Sequence, residues 1–492
     1  MIYLFLEGHD FKHTLYNLIR VFFPKQKIIH IESIRDYPGK NTLIVVSLKK
    51  KGNGLYGETK LYMEGNVLKS YSEDINKIDI YTNDREKIIK FGLRKALYST
   101  LNDISKVKTS WGILTGIRPI KIVHDLINKE VEDSKIIKTL RDEYKLSLDK
   151  SQLILNIGKS QRKHIYPIKG DKYSLYISIP FCPTRCLYCS FPSLSISKYK
   201  DHVEKYISKL IYEIKEINKM MKDKEINTVY IGGGTPTAIP QDKLERIIQV
   251  IYENFGASNI KEFTVEAGRP DTINIEYLKM LKKNKINRIS INPQTMNDKT
   301  LKIIGRNHNV DQVLKASYLA REIGFKTINM DLIIGLPGEG LKEIKNTLKQ
   351  IKRLDPENLT IHTLAIKTKS RLKTTLDKYP LENQDALINI LKETEKYASE
   401  MDLYPYYLYR QKKILGNLEN IGYSKRNEEC IYNIVMMEEK ETIIGAGMGA
   451  VSKIYFLKED KIKRVPNFKS LNEYFTRIDE NINNKYKVLN KI

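Results

Sequence analysis

The stretch YISIPFCPTRCLYCSFPS (residues 176–193) decides how this chain is interpreted. It begins as a β-rich run, and three of the four cysteines of the chain follow at Cys182, Cys186 and Cys189. Thiols this close together do not form a disulfide framework in a large protein of a reducing compartment, so the triplet indicates metal binding or redox chemistry. A strand therefore leads directly into a group of metal-ligand side chains.

Six β-rich runs alternate with segments of helical periodicity from this point onward. The runs are SLYISIPF (174–181), NTVYIGGG (227–234), EFTVEAG (262–268), RISINPQ (288–294), INMDLIIGLP (328–337) and LTIHTLA (359–365). Six strand–helix units in series predict an α/β fold with a parallel sheet, either an open doubly wound sheet or a partial (β/α)6 barrel. In both folds ligands bind at the C-terminal ends of the strands, where the unusual residues of this chain lie.

The length of 492 residues predicts two or three domains. We expect an N-terminal α+β domain of unknown role over residues 1–170, the parallel sheet over 171–370, and a C-terminal region over 371–492 that covers the substrate. Apolar residues make up 41% of the chain, which excludes collagen-like and low-complexity classes. No stretch approaches the roughly 20 apolar residues of a membrane helix. We therefore expect a cytoplasmic protein.

The chain is basic, with 84 Lys and Arg against 59 Asp and Glu and a net charge of +25. The excess is spread along the chain rather than clustered, as compositional drift of a genome produces without a selected partner. An acidic partner or substrate is the alternative. We expect no nucleic-acid partner. Nucleic-acid binding would weaken steeply as the salt concentration rises.

The cysteine triplet admits more than one metal. Three thiolates can hold three irons of a 4Fe-4S cube and leave the fourth iron open to another ligand. A structural zinc site needs a fourth ligand, and the nearest histidines in the sequence are His164 and His202. A closed electron carrier would need Cys430 as its fourth ligand.

The triplet directly after the first strand, with an aromatic residue before the third Cys, resembles the radical S-adenosylmethionine (SAM) superfamily. Over about residues 172–455 the chain is similar to the oxygen-independent coproporphyrinogen III oxidase-like family, and WGILTGIRP (111–119) resembles its HemZ-type branch. The motifs that carry this resemblance are GGGTPT (232–237), TVEAGRPD (264–271), NPQTMND (292–298), IGRNH (304–308), MDLIIGLPGE (330–339) and GAGMGAVS (445–452).

The resemblance implies that the three cysteines hold a 4Fe-4S cluster whose open iron binds SAM. It also implies that one or two SAM molecules contact Tyr176, Tyr188, Gly233, Gly234, Thr235, Glu266, Gln294, Arg306, Asp331, Ala365 and Val451. Those that match the site of a second SAM are Tyr188, Gly234, Thr235, Gln294, Arg306, Asp331 and Ala365. Taken singly, each polar residue at a strand end is more often a helix cap or a loop hydrogen bonder, and only their occurrence together with the triplet favours a site.

The reaction that the resemblance implies is oxidative decarboxylation of two propionate side chains of coproporphyrinogen III to vinyl groups. The resemblance also implies a tetrapyrrole substrate and an electron donor such as flavodoxin or ferredoxin. We expect the protein to be a monomer. Arg410, Lys412 and Lys413 are candidates for contacts with the propionates, solvated surface charge being the alternative.

One position departs from the family pattern. Members of the decarboxylase branch carry a fourth Cys one residue after the third, where Phe191 stands here. Relatives that lack this Cys include haem chaperones and porphyrin-modifying enzymes. Chaperones carry an HNxxYW-like motif, which is absent from ECIYNIV (429–435), although Cys430 could itself bind haem iron or be a buried small residue. Of the three functions that the sequence allows, we favour the decarboxylase first, a haem or tetrapyrrole chaperone second, and another radical SAM reaction on a tetrapyrrole third.

Overall fold

The computed structural model describes residues 1–105, 107, 109–116, 118–375, 378–379, 381–411 and 414–491. Lys412 and Lys413, two of the candidate substrate contacts, lie outside the described residues. The chain divides into two compact units, Met1–Lys159 and Ser160–Ile492. The sequence-based boundaries after residues 170 and 370 stay predictions.

The first unit is built on a five-stranded sheet in the order β2-β1-β3-β4-β5. Its strands are β1 (Ile2–Glu7), β2 (Ile28–Ile31), β3 (Thr42–Lys51), β4 (Gly54–Met63) and β5 (Asn66–Asp74). The helices of this part of the chain are α1 (Lys12–Phe22), α2 (Arg85–Ile104), α3 (Ile120–Ile127), α4 (Asp133–Asp142) and α5 (Leu148–Ile165). Three separate helices follow α2, because Glu130 and Lys145 have φ of 56° and 61°, which an α-helix cannot continue through.

The second unit contains an eleven-stranded sheet and a separate two-stranded pair. The strands are β6 (Lys172–Ile179), β7 (Phe181–Cys182), β8 (Leu194–Ser195), β9 (Glu225–Gly233), β10 (Glu262–Glu266), β11 (Arg288–Ser290), β12 (Thr327–Ile334), β13 (Asn358–Thr363), β14 (Tyr404–Tyr409), β15 (Asn420–Ser424), β16 (Thr442–Ala446), β17 (Val451–Phe456) and β18 (Lys461–Pro466). The large sheet has the order β14-β15-β13-β12-β11-β10-β9-β6-β16-β17-β18, and β7 pairs with β8.

The six predicted strands of the parallel sheet are confirmed as β6 and β9 to β13, which lie side by side in chain order and pair in parallel. The partial (β/α)6 barrel is therefore confirmed. The sheet is open, with β14 and β18 at its two edges. On the other side of β6 lies β16, also parallel, which the sequence did not predict.

Helices separate the strands of this unit. They are α6 (Val203–Met220), α7 (Gln241–Phe255), α8 (Ile275–Lys283), α9 (Asp298–Ile303), α10 (Val310–Glu322), α11 (Leu341–Leu354), α12 (Gln384–Glu400), α13 (Ile431–Glu438), α14 (Leu471–Thr476) and α15 (Ile478–Leu489). The helix α7 is amphipathic and buries one apolar face, which is formed by side chains at helical spacing: Leu244, Ile247, Ile248 and Ile251. Gly256 ends this helix with a φ of 77°. Among the described residues, no helix has both the length and the apolar character needed to span a bilayer.

A buried carboxylate, Glu213 of α6, connects the C-terminal helices to the Gly-rich segment between β16 and β17. Its two oxygens accept hydrogen bonds from the backbone N–H of Gly447 (2.8 Å), the amide of Asn467 (2.7 Å) and the hydroxyl of Tyr474 (2.7 Å). Lys485 of α15 forms an ion pair with the same carboxylate, and both side chains are fully buried. The charge of Glu213 is thus compensated inside the protein by one lysine.

We predict that Lys485→Ala lowers the free energy of unfolding by about 3–5 kcal/mol, because it leaves the Glu213 charge buried without its cation. The matched control is Lys487→Ala on the exposed side of the same helix, which should stay within about 0.5 kcal/mol of wild type. Urea unfolding followed by far-ultraviolet circular dichroism measures both variants. Equal stabilities of the two variants would contradict the role given to the buried pair.

Candidate active site

The cysteine loop and the GGGT turn lie side by side at the C-terminal ends of β6 and β9. The N–H of Gly234 donates to the carbonyl of Ile179 (2.8 Å), and the N–H of Thr235 donates to the carbonyl of Phe181 (2.8 Å). These bonds continue the pairing of the two neighbouring strands beyond their ends. Cys182, the first residue after Phe181, is thereby held against the turn.

The contact leaves no room for a side chain at Gly234. A Cβ atom there would lie 2.7 Å from the carbonyl oxygen of Phe181 and 2.9 Å from the Sγ of Cys182. The hydroxyl of Thr235 donates to the same sulfur at 3.6 Å. Glycine is therefore required for the backbone to approach the first thiol this closely.

The other side of the cysteine loop is fixed by two segments from the far end of the parallel sheet. The N–H of Leu187 donates to the carbonyl of Ile304 (2.9 Å), and the hydroxyl of Thr184 donates to the carbonyl of Gly305 (2.9 Å). The N–H of Leu372 donates to the carbonyl of Leu187 (2.9 Å). The loop thus lies across the C-terminal ends of the strands, as the sequence predicted for its ligand side chains.

The three thiols differ in exposure but share a cationic surrounding. Cys186 is buried, whereas Cys182 and Cys189 are half-buried, and burial raises the pKa of Cys182 to about 11. A guanidinium nitrogen of Arg269 lies 4.0 Å from the Sγ of Cys186, and Arg306 interacts with the same thiol. Thiols with raised pKa values are protonated until a metal displaces the protons. The two arginines then offset the negative charge of the thiolates.

These residues fit an iron–sulfur cluster better than a single-ion site. Among the described residues, no three His, Cys, Asp or Glu side chains converge as one metal ion requires. In a 4Fe-4S cube each thiolate binds its own iron, so the thiols need not converge on one point. Gly234 lets the backbone lie against the first thiol, and the buried Nε of Arg306 has no hydrogen-bond partner among the described residues.

The alternative of Cys430 as a fourth cluster ligand is opposed by its place in the fold. The Sγ of Cys430 donates to the carboxylate of Glu262 at 3.3 Å. Glu262 is the first residue of β10, whereas the cysteine triplet follows the last residues of β6, a strand of the same parallel sheet. Cys430 therefore lies toward the opposite end of the sheet from the other three cysteines.

Two predicted carboxylates, one at the end of β10 and one inside β12, have different proton affinities. Glu266, the last residue of β10, accepts a hydrogen bond from the hydroxyl of Tyr230 (2.6 Å), and burial raises its pKa to about 7, with a further contribution from the charge of Asp331. Burial also opposes the ionisation of Asp331, but His362 (3.6 Å) and Asn329 (2.8 Å) outweigh it and hold the pKa of Asp331 below its usual value. At neutral pH the site therefore holds one fixed carboxylate and one carboxyl that titrates.

Two residues of this site were missed from the sequence. His362 of β13 contacts Asp331 and lies 3.1 Å, through Nδ1, from the hydroxyl of Tyr409. Tyr432 of α13 stacks on Tyr230 with ring centroids 4.4 Å apart. The alternation in LTIHTLA could have placed His362 on the same face as Thr360, but no sequence signal connects Tyr432 to the sheet.

The remaining predicted SAM residues are placed as follows. The ring of Tyr176 of β6 lies beside the stacked pair of Tyr230 (6.3 Å) and Tyr432 (6.1 Å), and the Tyr230 hydroxyl connects this group to Glu266. Gln294 has a φ of 67°, and its N–H donates to the carbonyl of Asp331 (2.9 Å), so this residue is held in a strained backbone conformation against β12.

The last members of the predicted set occupy element ends or the cysteine loop. Tyr188 is half-buried and interacts with Arg306. Gly233, at the end of β9, has a φ of 111° that favours glycine. Ala365 follows β13 and forms an isolated bridge with Ile414, while Val451 begins β17.

Phe191 and Arg410 take unexpected positions. Phe191, which stands where the decarboxylase branch has a fourth Cys, is 66% exposed. Arg410 is buried, and its guanidinium donates to the backbone carbonyl (2.9 Å) and the side-chain oxygen (2.6 Å) of Asn417. The alternative of solvated surface charge is therefore wrong for Arg410, because the β14–β15 hairpin brings Asn417 onto it. Its contact with a substrate propionate stays a prediction.

We predict that Glu266→Gln removes a pH dependence of stability. Because burial raises the pKa of Glu266 from 4.5 to about 7, the proton stabilises the folded state fully below the lower value, and this stabilisation is lost as pH rises through the higher one. The wild-type free energy of unfolding should therefore fall relative to that of the variant between about pH 4.5 and 7. Urea unfolding across this range measures it, with the exposed substitution Glu253→Gln as the control. A constant difference between wild type and Glu266→Gln would contradict the prediction.

Comparison with known proteins agrees with the motifs. The family model of the radical SAM superfamily matches residues 176–351. The oxygen-independent coproporphyrinogen-III oxidase-like protein HemZ of Bacillus subtilis is 38% identical over 436 residues, which cover 87% of this chain and 87% of that protein. The heme chaperone HemW of Bacillus subtilis is 32% identical over 284 residues, covering 56% of this chain and 70% of that protein.

A solved structure also has the same fold. Coproporphyrinogen III oxidase (HemN) from Escherichia coli superposes with a TM-score of 0.51 at 22% identity, over 66% of this chain and 72% of that chain. The radical SAM superfamily implies a 4Fe-4S cluster and SAM, and the thiol loop fits that pair. The extent of the HemZ match and the agreement of the fold show that this chain belongs to the oxygen-independent coproporphyrinogen-III oxidase-like family of the radical SAM superfamily.

Proposed function

We propose that the protein is an oxygen-independent coproporphyrinogen III oxidase, which decarboxylates propionate side chains of a tetrapyrrole to vinyl groups. The similarity to HemZ, an oxygen-independent coproporphyrinogen-III oxidase-like protein, and the residues of the site support this proposal. Each propionate that becomes a vinyl group loses one hydrogen atom, carbon dioxide and one further electron. The protein must therefore position the substrate and exclude water while the cofactor supplies the radical.

The thiolates of Cys182, Cys186 and Cys189 would hold the cluster, and the ends of β6, β9 and β10 would hold SAM. When bound, cluster and SAM supply the reductive cleavage that starts radical chemistry at a C–H bond. Glycine backbone at Gly233 and Gly234 would approach the ligand closely. A second SAM would contact the residues that surround Arg306, whose buried Nε has no hydrogen-bond partner in the described part of the chain, which supports a further ligand there.

The carboxylates would orient SAM through their protonation states. Glu266 accepts a hydrogen bond from a cationic ammonium group best when it is ionised, and its pKa of about 7 makes this acceptor available from neutral pH upward. Asp331 remains ionised because His362 and Asn329 hold it so. His362 in turn contacts both Asp331 and the hydroxyl of Tyr409.

The environment of Cys430 favours the oxidase over the chaperone. Cys430 lies in the stretch that corresponds to the chaperone motif, is 3% exposed, and donates to Glu262. The N–H groups of Ile431 (2.9 Å) and Tyr432 (3.0 Å) donate to the same carboxylate, so Glu262 satisfies the N-terminus of α13. A thiol held in this contact is not exposed to bind haem iron, which supports the enzyme over the chaperone.

We predict that the anaerobically reconstituted protein, supplied with SAM, coproporphyrinogen III and a photoreduced deazaflavin, forms deoxyadenosine and a tetrapyrrole that has lost two carboxyl groups. Mass spectrometry measures both products. Cys182→Ala should abolish both, because it removes a cluster ligand. Cys430→Ala is the matched control, which should retain the products because this thiol lies away from the triplet.

Three results would contradict the proposal in different ways. Deoxyadenosine with a methylated or otherwise changed tetrapyrrole would indicate another radical SAM reaction. A protein that forms no product but binds haem stoichiometrically would be a chaperone, as the HemW similarity allows. Equal activity of Cys182→Ala and wild type would exclude the assignment of the cluster to the triplet.

A further inference from the structure

An exposed aromatic side chain stands beside the third thiol. Phe191 is 66% exposed, although it is only two residues from Cys189. Exposed aromatic side chains are the anchors that protein–protein interfaces most often bury. A single exposed aromatic residue can be incidental, so its charged surroundings decide what it indicates.

The loop itself and three segments that border it contain no acidic residue, whereas a fourth bordering segment carries Asp271, which pairs with Arg269. Residues 181–200, 299–309, 365–375 and 466–470 contain no Asp or Glu. The exposed cations of these segments are Lys198, Lys200, Lys299, Lys302, Lys369, Arg371, Lys373 and Lys469. Although the charge of the whole chain is spread out, these segments concentrate one sign around the thiols.

Backbone contacts attach these segments to the loop. The guanidinium of Arg185, between the first two thiols, donates to the carbonyl of Lys369 (3.1 Å). Leu372 is bound to Leu187 of the loop at 2.9 Å. A Cβ atom on Gly449 would lie 3.4 Å from the ring of Pro192 and 3.9 Å from the side chain of Lys469. The cations of different segments therefore border the same loop.

The charges on this surface are not neutralised within the described part of the chain. Lys369, Arg371 and Lys373 form no ion pair with a described carboxylate, whereas exposed cations elsewhere do, as Lys243 and Arg246 do with Glu204. Uncompensated positive charge around a hydrophobic anchor complements an acidic partner and speeds its association.

We propose that this surface, formed by Phe191 and the exposed cations named above, docks an acidic protein that carries a one-electron donor. The inference rests on the proposed function, because each reductive cleavage of SAM consumes one electron that an outside donor must supply. The donor is oxidised by one electron and the cluster is reduced by one, with no bond made or broken. The donor must approach the thiol loop, and the loop meets solvent at Phe191.

The test compares two triple charge reversals that change the net charge equally. Lys369→Glu, Arg371→Glu and Lys373→Glu alter the proposed surface. Lys279→Glu, Lys315→Glu and Lys349→Glu alter exposed, unpaired positions on α8, α10 and α11. The probe is flavodoxin, an acidic flavoprotein, whose affinity in the oxidised state is measured by calorimetry at low salt. We expect the surface variant to bind about tenfold more weakly or worse, and the control variant to bind within about twofold of wild type.

A second variant tests the anchor. Phe191→Ser should weaken flavodoxin binding without changing the dependence of affinity on salt, because it removes apolar contact but no charge. Unchanged affinity of Phe191→Ser would overturn the role of the anchor. If both triple charge reversals weakened flavodoxin binding equally, the net charge of the protein would explain the binding. That result would overturn the assignment of docking to this surface. Binding of anionic vesicles or duplex DNA lost only in the surface variant, with flavodoxin binding retained, would assign the surface to another partner.

The proposed function is separated from this inference by a reductant that needs no docking. Deoxyadenosine formation driven by photoreduced deazaflavin should be equal in wild type and both triple variants, whereas flavodoxin-driven formation should fall only in the surface variant. Absence of deoxyadenosine with either reductant would refute the proposed function, and the calorimetric result would still decide the docking surface.

Discussion

The contact between the cysteine loop and the GGGT turn is the constraint on which the site depends. Two backbone hydrogen bonds, from the N–H groups of Gly234 and Thr235 to the carbonyls of Ile179 and Phe181, hold the chain just before Cys182. Since β6 and β9 are neighbours in the sheet, their extensions can pair only if the backbones come this close. The absence of a Cβ at Gly234 permits that approach, and the first thiol is positioned as a result. The remaining contacts of the loop, to Ile304 and Leu372, orient it over the strand ends.

The buried polar groups of the sheet divide between chemistry and architecture according to the strand end at which they lie. Glu266 ends β10, and Asp331 and His362 lie in the C-terminal halves of β12 and β13. The pKa of Glu266 is raised and that of Asp331 is lowered, and His362 contacts Asp331. At the N-terminal end of β10, Glu262 is instead saturated by Cys430, Ile431 and Tyr432. With three hydrogen bonds and Arg288 3.5 Å away, this carboxylate is engaged in holding the N-terminus of α13 to the sheet.

Much of the parallel sheet and of the thiol loop was predictable, because their signals are local. Each strand of the (β/α)6 array is a short β-rich run, and the cysteine spacing is read directly from eight consecutive residues. The features that were missed depend on contacts distant in sequence. The strand β16 merges into a Gly-rich stretch that is typical of a turn, Tyr432 reaches Tyr230 from a helix some two hundred residues later, and Arg410 is buried only because the β14–β15 hairpin folds Asn417 onto it.

We propose that the three thiols hold an iron–sulfur cluster that binds SAM beside Glu266. Electron–nuclear double resonance on the reduced, reconstituted protein, with SAM labelled with nitrogen-15 at its amino group, tests this directly. We predict a 4Fe-4S signal that changes when SAM is added and a hyperfine coupling between the cluster and the labelled nitrogen. A 4Fe-4S signal that SAM leaves unchanged, or a cluster of another type, would contradict it.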